Sequence, residues 1–231
     1  MTSSSEGQAN VVLVEVDGTL IDDRQVQLDL RNYVESICGE SCRERYFHIL
    51  ERLQRVLGYN DYLGALQRYR IEYPGDSEVL SLPSFLLDYP FANRLYPEAL
   101  AVLRRLQSWG LTVVLSEGDA IFQPRKIERS GIHAAVEGRV LIYLHKEDAV
   151  EDIEARYPGH RYILVDHNPE KLAAFRKIWG SRLFTILVRH GISAEDQKTR
   201  FIPDLAVEII AELLDVDFAH LLAGSPVQAA R

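Results

Sequence analysis

The sequence predicts a doubly wound α/β fold: a parallel sheet with one all-helical insertion. Three observations predict it. Short apolar, β-branched runs at residues 11–16, 111–115, 162–165 and 183–188 read as buried strands. Helical patterns separate the later runs, so each connection reads as a right-handed βαβ unit. Between the first run and the second, residues 26–89 show helical periodicity alone.

The elements follow in order. Residues 11–16 are apolar except for Glu15 and end in Asp17-Gly18, a strand running into a turn. Val26, Leu30, Tyr33, Val34 and Ile37 make one helical stripe, and Tyr46, Leu50, Leu53 and Leu57 a second. Leu63, Leu66 and Tyr69 suggest a third helix, and residues 77–88 a fourth. Pro97 opens a helix with Leu100, Leu103 and Leu106 inward, stopped at Trp109-Gly110. Residues 123–130 form a short helix, 140–144 a strand, 146–156 a helix, 170–179 a helix and 206–214 a final helix. The strand runs are continuously apolar, as in sheets covered on both faces. The expected division is a core of residues 10–22 and 95–217 around a helical unit of residues 23–94. The polar, Ser-rich start at 1–9 and the end at 222–231 are expected to be disordered tails.

The chain has 231 residues and a formal net charge of −8. That acidity argues against nucleic acid or an anionic membrane as partner, and no apolar run approaches a bilayer span. Oligomeric state is not legible. The two cysteines, Cys38 and Cys42, fall four apart on a predicted helix, where a disulfide would be strained. They are expected as reduced thiols of a cytoplasmic protein.

Ligands of such sheets bind at the carboxyl ends of the strands, and four polar clusters fall there. Glu15 and Asp17, two apart in an extended segment, point the same way, followed by Gly18 and Thr19. Ser116-Glu117-Gly118 follows the second strand, where a hydroxyl and backbone N–H groups can hold phosphate oxygens. Lys146 follows the third and can neutralise a phosphate. Asp166-His167 follows the fourth, an acid suited to Mg²⁺, with Glu170 four residues on as a supporting acid and His167 at the pocket rim. Singly, each has a plain structural reading: a turn, a loop start, a solvated lysine, a helix cap.

Acid pair, hydroxyl, lysine and acid, in that order, resemble the four motifs of the haloacid dehalogenase-like (HAD) superfamily. Its first motif reads Asp-x-Asp-Gly-Thr, where this chain has Glu15-Val16-Asp17-Gly18-Thr19. The segment LYPEALAVLRRLQSWGLTVVLSEGD is similar to the approach to its second motif. The inserted helices match its C1 cap on a Rossmannoid core. The resemblance implies a Mg²⁺-dependent phosphomonoesterase acting on a small phosphorylated molecule. Glu15 would be the nucleophile and Asp17 the acid/base. Glu15, Asp17 and Asp166 would hold the metal, and Thr19, Ser116, Glu117, Gly118 and Lys146 the phosphate.

Glu15 departs from the family's aspartate. Its extra methylene moves the carboxylate by about 1 Å, and such a misplacement can cost roughly 10²-fold in rate. Two readings stay open: a hydrolase with a glutamate nucleophile, and a homologue that binds a phosphorylated ligand or a partner without turnover. In a third idea Glu15 imitates a phosphorylated aspartate and holds the cap closed. A cap that opens equally with and without ligand counts against it.

Overall fold

The computed structural model of the chain describes residues 10–190, 201–218, 220 and 221. The tails expected at 1–9 and 222–231 lie outside these. Six parallel strands form one sheet: β1 (Asn10–Val14), β2 (Leu111–Glu117), β3 (Val140–Tyr143), β4 (Arg161–Asp166), β5 (Leu183–Val188) and β6 (Leu205–Val207). Their spatial order is β3-β2-β1-β4-β5-β6. The chain therefore reverses its direction of travel between β1 and β4, which opens a crevice at their carboxyl ends.

Side chains alternate across the sheet. Val12, Val14, Val114, Ile163 and Ile186 join one buried cluster with helices α4 (Ala99–Leu106) and α5 (Phe122–Arg129). Val11, Leu13, Val113, Leu164 and Leu187 join a second with α7 (Val150–Arg156) and α8 (Pro169–Trp179). A strand with helices on both faces has no solvent side, which is why these runs read as continuously apolar.

Between β1 and β2 the chain makes a helical block: α1 (Asp23–Leu57), α2 (Tyr62–Glu72) and α3 (Leu82–Asp88). Asp22 caps α1 by accepting the Gln25 N–H at 3.1 Å. The two predicted stripes lie on this one element, which is broken at Gly39 (φ 81°, ψ 170°). Only a residue without Cβ adopts that conformation readily. α1 ends at Gly58 in the left-handed region (φ 83°), its N–H returning to the Gln54 carbonyl at 2.8 Å. Tyr46 donates its hydroxyl to the Tyr62 carbonyl at 2.9 Å, which ties α1 to α2 inside the block.

Four expectations are corrected. Cys38 and Cys42 are joined as a disulfide, not free thiols, because the Gly39 break releases the pair from regular helical spacing. Residues 206–214 are not a helix: Leu205–Val207 pairs in parallel with β5, and 210–214 forms a 3₁₀ turn. Open edge hydrogen bonds on β5 outweigh the local helical pattern. Residues 146–149 are a 3₁₀ turn, so α7 begins at Val150. The helix expected from Pro97 begins at Ala99, and a short α6 (Ile132–Ala135) follows α5. No helix among the described residues is long and apolar enough to cross a membrane.

Candidate active site at the carboxyl ends of the strands

The first four strands deliver the predicted cluster to one place. Register makes this unavoidable: Val14 stands beside Val114 and Val165, so the residues after it emerge next to Ser116 and Asp166. The Glu15 N–H donates to the Val165 carbonyl at 3.0 Å, which extends the pairing one residue beyond β1. The Glu15 carboxylate accepts from the Val16 N–H at 2.7 Å and from the Ser116 hydroxyl at 2.8 Å. Its other oxygen accepts from Lys146. The same ammonium donates to Asp166 at 2.6 Å. Glu15, Lys146 and Asp166 are all buried.

Burial disfavours the Lys146 ammonium, yet the Asp166 and Glu15 carboxylates beside it hold its pKa above the ordinary lysine value. Burial also opposes the Asp166 carboxylate, and Lys146 outweighs it, so Asp166 sits below the usual aspartate range. Two carboxylates sharing one ammonium leave a net negative charge in a buried place. Hard oxygen donors around residual negative charge are what a small divalent cation requires. Glu15 and Asp166 already share one cation, so they are close enough to hold another in common.

Asp17 turns elsewhere. It accepts from Lys126 at 2.6 Å and from the Gln123 amide at 2.9 Å. Lys126 is buried and also lies 3.5 Å from Asp23, the first residue of α1. Gln123 further donates to the Ser116 hydroxyl at 2.9 Å. Neither Gln123 nor Lys126 stands out in the sequence, where residues 123–130 read only as a short helix. The available signal was their spacing: two polar residues three apart, flanked by Phe122 and Ile127 on the inward face.

The other predicted residues divide. Thr19 is buried and its hydroxyl accepts the His167 N–H at 3.0 Å, binding the first loop to the fourth. His167 borders the cleft, and a Cβ at Gly18 (φ 67°) would sit 2.8 Å from its ring, so this turn requires glycine. The Glu117 carboxylate accepts from the Lys146 N–H at 3.1 Å and from Lys171 at 2.6 Å, which makes its side chain a brace for the loop. The Gly118 N–H donates to the Tyr143 carbonyl at 3.1 Å, which takes it away from the anion-binding role expected for it. Glu170 is exposed and makes no hydrogen bond or ion pair with Asp166. Asn168 takes both expected duties: its N–H donates to Asp166 at 2.8 Å, and its side chain caps α8. Among the described residues the one tight cluster of three metal-ligand types is Glu117, His145 and Glu147. Lys171 already bridges the two glutamates there.

Glu15, Asp17, Gln123, Lys126, Asn168 and Lys171 border a cleft of 320 Å³ facing the helical block.

No family profile and no curated protein sequence matches the chain. Solved structures do. A protein of Burkholderia xenovorans assigned as a haloacid dehalogenase-like hydrolase is 45% identical, with 93% of this chain and 99% of that one covered and a TM-score of 0.87. The magnesium-bound HAD-hydrolase YfnB of Bacillus subtilis superposes at 0.62 with 13% identity, over 90% of this chain and all of that one. The L-2-haloacid dehalogenase of Xanthobacter autotrophicus, with chloropropionic acid covalently bound, superposes at 0.57 with 17% identity, over 94% and 99%. The last two share the fold. The first, at 45% identity over nearly its whole length, places the chain in the haloacid dehalogenase-like hydrolase family.

Proposed function

We propose that the chain hydrolyses a small phosphomonoester with Mg²⁺ as cofactor, the helical block serving as a C1 cap. The observation that carries this reading is the meeting of Glu15, Ser116, Lys146 and Asp166, from four separate strand exits, at the β1/β4 crevice. Glu15, Asp166 and the main-chain carbonyl of Asp17 would hold the ion, which when bound supplies positive charge to the phosphoryl oxygens. Glu15 attacks phosphorus as the P–O bond to the alcohol breaks, and Asp17 gives the leaving oxygen its proton. Water then cleaves the acyl phosphate and returns a proton to Asp17. Lys126 and Gln123 hold Asp17 in place between these steps.

A second reading is favoured by one observation. Ser116 and Lys146, the groups expected to grip phosphate, are both spent on Glu15. Glu15 then acts as a fixed internal anion, and the cleft binds its ligand without turnover.

The test is Mg²⁺-dependent phosphate release from a phosphomonoester panel. The chain is compared with Glu15→Asp and Asp17→Asn. Turnover by the chain, lost in Asp17→Asn, supports the hydrolase. Activity only in Glu15→Asp supports the second reading.

A further inference from the structure

The side of the cleft facing the catalytic loops is made by the helical block: Gln27 and Gln54 near the two ends of α1, Tyr59 and Asn60 in the following loop, and Tyr62 at the start of α2. The left-handed Gly58 turns the chain sharply enough for loop and helix ends to share this wall. All five side chains are amides or phenols, uncharged groups that both donate and accept hydrogen bonds. No arginine or lysine of the block borders this cleft; Arg24 lines the neighbouring pocket on the far side of Asp17 and His167. Arg45 and Arg52 are paired with Asp76 and Glu72, and Arg68 borders a different pocket between α1 and α2. The one charged side chain that the block contributes to this cleft is Asp23, an acid already accompanied by the Lys126 ammonium at 3.5 Å.

Tyr62 adds an independent observation. It is 1% exposed, and its hydroxyl makes no well-formed hydrogen bond, with the Asn60 side chain as a polar neighbour. A ligand hydroxyl that reached this pair would give both groups a better-formed hydrogen bond than they make with each other. Gln27 donates its amide N–H to Asp23 at 2.7 Å, leaving its carbonyl oxygen free to accept. At 320 Å³ the cleft lies at the small end of ligand sites, which run from roughly 300 to 1,000 Å³.

We propose that the alcohol part of the substrate is a neutral, hydroxyl-rich small molecule, a phosphorylated sugar or polyol, with Tyr62 and Asn60 as specificity-determining residues. This rests on the phosphomonoester reading above. The phosphoryl end lies against the strand exits, and the hydroxyls meet the wall of amides and phenols.

The test compares glucose 6-phosphate and sorbitol 6-phosphate with phosphoglycolate, which carries a carboxylate besides the phosphate, and with phenyl phosphate. Phosphate release gives kcat/KM with Mg²⁺, and calorimetry on the intact chain gives binding. The sugar and polyol esters are expected to be preferred at least about tenfold. Tyr62→Phe, which keeps the ring and its packing on Phe122, should raise KM for them by about threefold to tenfold, the worth of one hydrogen bond. Its effect on phenyl phosphate should be smaller. If polyol esters bind with this preference and none is hydrolysed, the hydrolase reading falls and the substrate class stands. If carboxylated or phenyl esters are preferred, if Tyr62→Phe affects all esters alike, or if polyol esters neither bind nor react, the inference is overturned.

Discussion

Two buried lysines organise this site, each bridging two carboxylates: Lys146 joins Glu15 to Asp166, and Lys126 joins Asp17 to Asp23. Removing one partner from such a pair leaves charge buried without compensation, which costs about 3–5 kcal/mol. Lys126→Met is therefore expected to lower unfolding free energy by about that amount in urea titrations. A loss below about 1 kcal/mol would show that water already compensates Asp17 and Asp23. Adding Asp23→Asn to Lys126→Met should recover part of the loss, because one fewer acid is then stranded. Lys146 was legible in the sequence from its place after a strand. Lys126 was not, because its partner Asp17 lies 109 residues away and nothing local distinguishes it from a solvated lysine.

At the scale of elements, α1 shows local pattern and covalent chemistry acting together. Its two apolar stripes are each helical, and the break between them falls at the residue that tolerates φ 81°. The disulfide spans that break. Thiol titration of the unfolded, unreduced protein should find no free thiol, and two after reduction. One or two thiols before reduction would restore the expectation drawn from spacing alone. Cross-linking so short a loop constrains the unfolded chain modestly, so Cys38→Ser with Cys42→Ser should cost about 2 kcal/mol or less. The C-terminal segment makes the complementary point. Leu205–Val207 has the composition of a helix end but pairs with β5, since strand pairing is decided by a neighbour already in place.

Over the whole molecule, the helical block leaves the sheet after β1 and returns before α4, and a polar clasp joins its two ends. Asp29 of α1 accepts from Tyr89 and from Arg94 at 2.6 Å. Burial opposes the Asp29 carboxylate, but hydrogen bonds from Tyr89, Arg94 and Gln25 hold its pKa below the ordinary value of 3.8. Below that value the unfolded chain takes up a proton that the folded chain refuses. This part of the stability is thus complete above about pH 4 and drains away as pH falls further. In urea titrations the gap between the chain and Asp29→Asn should be widest above about pH 4.5 and narrow towards pH 3. A gap independent of pH would mean that the clasp contributes by packing alone.

What the sequence determined by itself was local. Apolar runs of strand length, helical stripes and punctuating Gly and Pro residues depend on near neighbours, and they specified the doubly wound core, the inserted helices and the order of polar clusters at the strand exits. Only the tertiary structure decided which groups meet. Strand register carried Glu15 to Ser116, Lys146 and Asp166, across 101, 131 and 151 residues of chain. Packing of α5 under the first loop brought Lys126 to Asp17, and the fold of the block gathered Gln27, Gln54, Tyr59, Asn60 and Tyr62 into one wall. The physical reason is range. Backbone preference and hydrophobic period act over a few residues, whereas the pairing of buried charges depends on where the whole sheet places its strand ends.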